Sequence, residues 1–331
     1  MNFKYNNVYL GETGTVVGPY ELNGLYASNY DKSYKELYLG ESSWEMAEIK
    51  LIKESVNIAL NKSGISKENI DLHLSGDLLN QLVASNYASR DINIPFIGVY
   101  AACATSTLSM IIASNMIEAK QINNAICSVS SHNAAAEKQF RYPVEYGGPK
   151  RKTTTFTSTG GASVIITNKK TPIKVTSGTI GRVIDLGIKD VYNMGAVMSP
   201  AAAETLYEHL KSNDRDIDYY DLILTGDLGV YGKKIFKEYL KEKYNINITK
   251  FEDAGSILYG GKKEFYAGGS GPACLPLITY SMVLDKMKKG EYKNVLLIAT
   301  GSLHNVSMCN EKNTIPAVAH AISLEVTKWF I

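Results

Sequence analysis

The chain has 331 residues, 45% hydrophobic and 21% charged, with 35 basic against 33 acidic side chains and a formal net charge of +2. Such a length buries a large core, and this balance excludes a disordered chain and gives no electrostatic reason to expect a nucleic-acid partner. The opening MNFKYNNVYLGETG lacks the apolar stretch of a signal peptide, and no window reaches the roughly 20 apolar residues of a membrane span, so neither is expected.

In chain order, Val8 to Val17 is strand-like, and Trp44 to Leu60 sets Trp44, Ala47, Leu51, Ile52, Val56 and Ala59 on one helical face. Asp71 to Leu78, DLHLSGDL, predicts a buried strand ending in Gly-Asp. In GVYAACATST, Gly98 to Thr107, a strand turns into a helix predicted over Ala104 to Lys120. Its apolar residues Leu108, Ile111, Ile112, Met116 and Ala119, with Ala104 and Ala113 for close approach, predict a helix buried between sheets. Cys103 sits at the turn, where free N–H groups and the helix dipole favour a thiolate. A strand from Ala125 to Val129 then runs into SSHN, Ser130 to Asn133. The stretch EKQFRYPVEYGGPKRK, Glu137 to Lys152, has neither helical nor strand period and predicts a long structured loop. Arg141 and Tyr142 are its best candidates for a pocket, ahead of the exposed-looking Lys150, Arg151 and Lys152.

The order then repeats. Ile173 to Val183 starts like a strand, and DLILTGDL, Asp221 to Leu228, follows the first copy by 150 residues. GGSG, Gly268 to Gly271, leads into a helix over Ala273 to Lys289, and the strand Val295 to Ala299 runs into SLHN, Ser302 to Asn305, 172 residues after SSHN. The offsets differ by 22 residues, and Asn245 to Phe265 is the natural place for the excess. Each half therefore reads as alternating β and α elements with right-handed crossovers, and the division is expected between 172 and 173. GDLGVYGKK, Gly226 to Lys234, is not a phosphate loop, because its glycines are misplaced and no Ser or Thr follows the lysine.

Asp77 and Asp227 close the two Gly-Asp strands, where an aspartate commonly caps the next helix. The loop after Asp77 could equally face Cys103. His132 and His304 share the SxHN setting, which suits a strand-end histidine bonded to backbone; His304 is the better placed for a pocket. His73, His209 and His320 are given no role. The four cysteines, Cys103, Cys127, Cys274 and Cys309, are scattered without zinc spacing, so reduced thiols and no metal site are expected.

SGDLLNQ (Ser75 to Gln81), ACATST (Ala102 to Thr107), the run from Ser130 to Gly148, LILTGDL (Leu222 to Leu228) and AGGSGPAC (Ala267 to Cys274) resemble a sporulation branch of the thiolase superfamily whose members bind dipicolinic acid. The similarity spans essentially the whole chain. It implies a thiolase-like α/β fold: two duplicated βαβαβ-type halves, 1–172 and 173–331, related by a pseudo-twofold with helices buried between the sheets. It further implies a homodimer without a cofactor, peripheral on the spore inner membrane beside membrane proteins of the same operon. Its task there is uptake of dipicolinic acid into the developing spore and release at germination.

Condensing enzymes of the superfamily place a histidine after the strand equivalent to Asp221 to Leu224 and an asparagine before the next helix. Those positions fall here at Gly226 or Asp227 and near Gly268, which implies binding rather than catalysis. The implied site is a pocket above Cys103, with Asp77, Thr105, Ser106, Arg141, Tyr142 and His304 around the ligand and Tyr100 and Tyr142 as an aromatic wall. The ligand is the free acid or its calcium chelate. Two alternatives stand beside this reading: an acyl transferase using Cys103, and a scaffold with a vestigial pocket.

Overall fold

Where β-branched and small residues run without charge, the chain is extended and buried, as in Leu72–Gly76, Gly160–Thr167 and Leu222–Thr225, which are buried at every position. The computed structural model describes residues 1–140, 150–302 and 304–327. Strands β1 to β8 are Asn2–Lys4, Tyr9–Val17, Lys32–Ser33, Leu72–Gly76, Phe96–Gly98, Asn124–Ser131, Phe156–Thr157 and Gly160–Thr167. Strands β9 to β14 are Ile173–Ile180, Leu222–Thr225, Phe251–Asp253, Gly269–Ser270, Asn294–Ser302 and Ala317–Val326.

The main sheet is bonded in the order β11-β10-β13-β14-β9-β2-β8-β6-β4-β5, with β1 on β9 and β3 on β2. Read outward from its middle, each side follows one plan: β2-β8-β6-β4-β5 and β9-β14-β13-β10-β11. On both sides the outer three strands are parallel and the inner ones antiparallel. The sides join where Tyr9 and Leu10 pair antiparallel with Lys174 and Ile173. The two Gly-Asp strands, β4 and β10, thus hold matching places.

Helices α1 (Trp44–Ser63) and α2 (Val83–Ile92) cover the outer face of one side through Ile52, Val56 and Ala88 against Ile126 and Ile165. Helices α3 (Thr105–Glu118) and α4 (Asn133–Phe140) follow, and then α5 (Met194–Asn213) and α6 (Gly229–Tyr244). These last two cover the other side through Leu206 and Phe236 against Ile223 and Leu296. After α7 (Ala254–Leu258), a continuous helix comprises α8 (Cys274–Ile278), a π turn (Thr279–Val283) and α9 (Leu284–Lys288). It lies with α3 in the central layer, where Met110, Ile111, Leu275 and Ile278 share one core with strand residues of both sides such as Leu74 and Leu224. A short α10 (Val306–Asn310) precedes β14.

Helix α1 begins where Ser43 Oγ accepts the Met46 N–H at 3.2 Å, and it ends at left-handed Gly64. Its closeness to β2 depends on Gly14, because a Cβ there would stand 2.0 Å from the Ser55 carbonyl oxygen and 2.9 Å from the Ala59 nitrogen. Gly14→Ala is expected to lift the helix off the strand and cost about 1–3 kcal/mol. Urea unfolding checks this, and an unchanged midpoint would contradict the packing.

Three local expectations need adjustment. Residues Glu137 to Phe140 are not loop but the end of α4, helped by three alanines before them. Gly269–Ser270 is a short strand on β7, since Phe156–Thr157 offers free backbone partners alongside. The extra residues of the second half lie largely between β11 and α8, around α7, so the later part of Asn245 to Phe265 holds more of them than the earlier part. Among the described residues, no helix is long and apolar enough to cross a membrane.

Candidate functional site

A cavity of about 500 Å³ opens at the carboxyl ends of β5, β10 and β13. Cys103, Asp227, Ser270 and Ser302 provide polar groups, while Phe140, Met194, Met198 and Val318 provide apolar wall. The thiol is presented by a sharp turn in which Ala102 has φ 49°, a left-handed conformation that costs a non-glycine residue of order 1–3 kcal/mol. The surroundings hold it there. Thr105 Oγ1 accepts the Ala101 N–H at 3.2 Å and donates to the Ala102 carbonyl at 2.7 Å. From the other half Gly301 closes against the turn, and a Cβ on it would lie 2.5 Å from the Ala101 oxygen.

Asp77 and Asp227 part company here. Asp77 is buried and turned into its own loop: Oδ1 accepts the Leu79 N–H at 2.8 Å, and Oδ2 accepts the Ser85 N–H at 2.8 Å and hydroxyl at 2.7 Å. It therefore serves α2 and is not among the cavity residues. The corresponding work in the second half falls to Asp253, whose carboxylate accepts the N–H groups of Leu228 and Gly229 at 3.0 and 2.8 Å. That leaves Asp227 for the cavity. Only 1% exposed, it accepts the Thr300 hydroxyl on Oδ1 at 3.1 Å, and the Cys103 thiol bonds to the same carboxyl. Its Oδ2 is buried with no hydrogen-bond partner. Burial pushes this carboxyl up to about 7, opposed by the Cys103 bond and reinforced by nearby Asp253.

Of the other expected site residues, His304 lines the cavity and stacks on Phe140 with centroids 6.4 Å apart, and Tyr100 lines it with its hydroxyl 3.3 Å from the Leu78 carbonyl. Thr105 and Ser106 are buried outside the lining, Thr105 holding the turn instead. Arg141 and Tyr142 lie outside the described residues. Lys150 is not remote, because its Nζ stands 3.5 Å from Oε2 of Glu137, and Glu137 lines the cavity. His132 is structural: its Nε2 bonds the Leu37 carbonyl at 2.7 Å and its Nδ1 accepts the Ala135 N–H at 3.3 Å. His73 and His209 are buried in hydroxyl networks, and burial drives them down to about 4 and about 3. Glu137 and Asp227 are the residues that sequence reasoning missed. Asp227 carried a signal, the Gly-Asp echo, but that echo equally predicts a cap.

Comparison with known proteins follows the same line. Residues 1–325 match the family described as Stage V sporulation protein AD (SpoVAD). The chain belongs to this family. The stage V sporulation protein AD of Bacillus subtilis (strain 168) is 44% identical over 318 residues, covering 96% of this chain and 94% of that protein. Solved structures share the fold at much lower identity. Human mitochondrial 3-ketoacyl-CoA thiolase matches with a TM-score of 0.61 at 12% identity over 97% of this chain and 99% of that one. For 3-oxoacyl-[acyl-carrier-protein] synthase III from Aquifex aeolicus VF5 the values are 0.59 and 14%, over 96% of this chain and 99% of that one. A variant of Xanthomonas campestris OleA gives 0.62 and 13%, over 98% and 99%. The chain thus has a thiolase-like α/β fold.

Proposed function

We propose that this SpoVAD-family protein is a non-enzymatic binding protein for dipicolinic acid, seated in the cavity above Cys103. The observation that carries the reading is the partner of that thiol. A condensing enzyme stabilises its thiolate with positive charge or a neighbouring base. Here the thiol bonds to a buried acid, Asp227, so a proton passed between them leaves an anion with no counter-charge beside it. Among the described residues, the cavity walls contain no lysine or arginine. A cavity of this size, with apolar wall and a few convergent polar groups, suits a small flat ligand. The family resemblance supplies the ligand's name, the spore setting and the role in uptake and release. Within this reading the protein works at the spore inner membrane through membrane proteins of the same operon and as a homodimer. Its exposed edge strand β5 is a candidate seam.

Calorimetric titration of dipicolinate tests the proposal, with and without calcium, alongside intact-mass measurement after incubation with acyl-CoA. We expect saturable binding, weakened roughly tenfold, or about 1.4 kcal/mol, by Cys103→Ala, and no acyl adduct. An adduct at Cys103 would favour the acyl-transferase reading, in which His304 becomes the base to examine. Absence of binding under all conditions would leave the scaffold reading.

A further inference from the structure

We propose that Asp227 meets the ligand as a neutral carboxyl and holds one of its carboxylates by donating the Oδ2 proton. This rests on the dicarboxylate reading above and adds to it a regulation: binding takes up a proton wherever Asp227 is otherwise ionised.

Geometry carries the argument. Asp227 is buried yet belongs to the cavity wall, and its Oδ2 has no hydrogen-bond partner. A buried polar atom left so costs about 1–3 kcal/mol, and the cavity is the side from which a partner can arrive. The groups facing it come from five directions. Thr300 on β13 donates to Oδ1, the Cys103 thiol bonds from the turn before α3, and the Gly271 N–H bears on it from the turn before α8. Asp253 on β11 adds a second acid, and Cys274 on α8 adds another thiol within electrostatic range. None of these is a cation.

Elsewhere in the wall, Glu137 is paired with Lys150. Among the described residues no group of three or more His, Cys, Asp or Glu could hold a metal ion. An arriving anion would be repelled by an ionised Asp227 and welcomed by a neutral one, which burial and Asp253 favour up to about pH 7. Rescue by asparagine is available, because its amide is isosteric with the aspartic carboxyl and is a donor at every pH.

The experiment is calorimetric titration of the full chain with dipicolinate from pH 6 to pH 9, in EDTA and separately in calcium, using buffers of differing ionisation enthalpy. Wild type is expected to lose affinity by about tenfold per pH unit above pH 7 and to take up protons on binding there. Asp227→Asn should keep the pH 6 affinity throughout and take up none, whereas Asp227→Ala should be weak and flat. Circular dichroism confirms that each variant is folded. Binding that is present but flat or rising with pH in wild type overturns this inference alone. So does binding that requires calcium and is lost in Asp227→Asn, since Asp227 would then be a cation ligand. No binding at any pH overturns the ligand reading together with this one.

Discussion

Truncating Ile111 to alanine is expected to destabilise the protein by about 2–5 kcal/mol, the range for large-to-small changes in a core that relaxes only partly. Ile111 is fully buried in α3, the helix that Cys103 leads into, and shares its core with residues from both sides of the sheet. It also abuts β9 so closely that a Cβ on Gly178 would stand 3.0 Å from its Cγ1. The cavity left by truncation opens in the central layer, between packed elements that cannot close on it without moving a sheet. Denaturant unfolding reads the loss, and the dipicolinate affinity proposed above should fall with it because the Cys103 turn is braced by the same helix. A loss below about 1 kcal/mol would mean that α3 is not packed between the two sides.

Asp227→Asn should act in the opposite sense, by an amount that grows as pH rises above about 4. The unfolded carboxyl titrates near its ordinary value of 3.8, whereas burial holds the folded one at about 7. Between these values the folded state binds more protons than the unfolded state, so wild-type stability falls as pH rises from about 4 to 7 and levels off above. The asparagine variant lacks that term. Its advantage over wild type should be near zero at pH 4 and grow to at most about 4 kcal/mol by pH 8. Glu21, also buried and pushed up to about 7, slopes both curves alike, so the difference between variant and wild type isolates Asp227. Thermal melts from pH 4 to pH 8 test it, and a difference that stays constant or shrinks with pH would contradict the environment described for this carboxyl.

Local patterns made much of this protein legible. Short apolar runs, two of them ending in Gly-Asp, located β4, β6, β10 and β13, and helical spacing located α1 and α3, each within a few residues. The repeated Gly-Asp and SxHN strings, in the same order with like elements between them, exposed the duplication that the mirrored strand order displays. The turn at Cys103 was also readable, because a strand rich in aromatic and β-branched residues gives way there to small residues and then to a helical face.

What the chain determined alone was the periodicity and turn chemistry of segments, since these depend on residues a few positions apart. Which of two like aspartates would face the cavity was decided only by the tertiary structure. Asp77 finds its donors in Leu79 and Ser85, within its own loop. Asp227 has the N–H groups that follow it in its own loop, Leu228 and Gly229, taken by Asp253, which pairing of β11 beside β10 brings alongside from 26 residues away in sequence. A carboxyl's partners are chosen through space among competing donors and acceptors. The same Gly-Asp string therefore became a helix cap in one half and, in the other, an acid against a thiol with one oxygen left unpartnered.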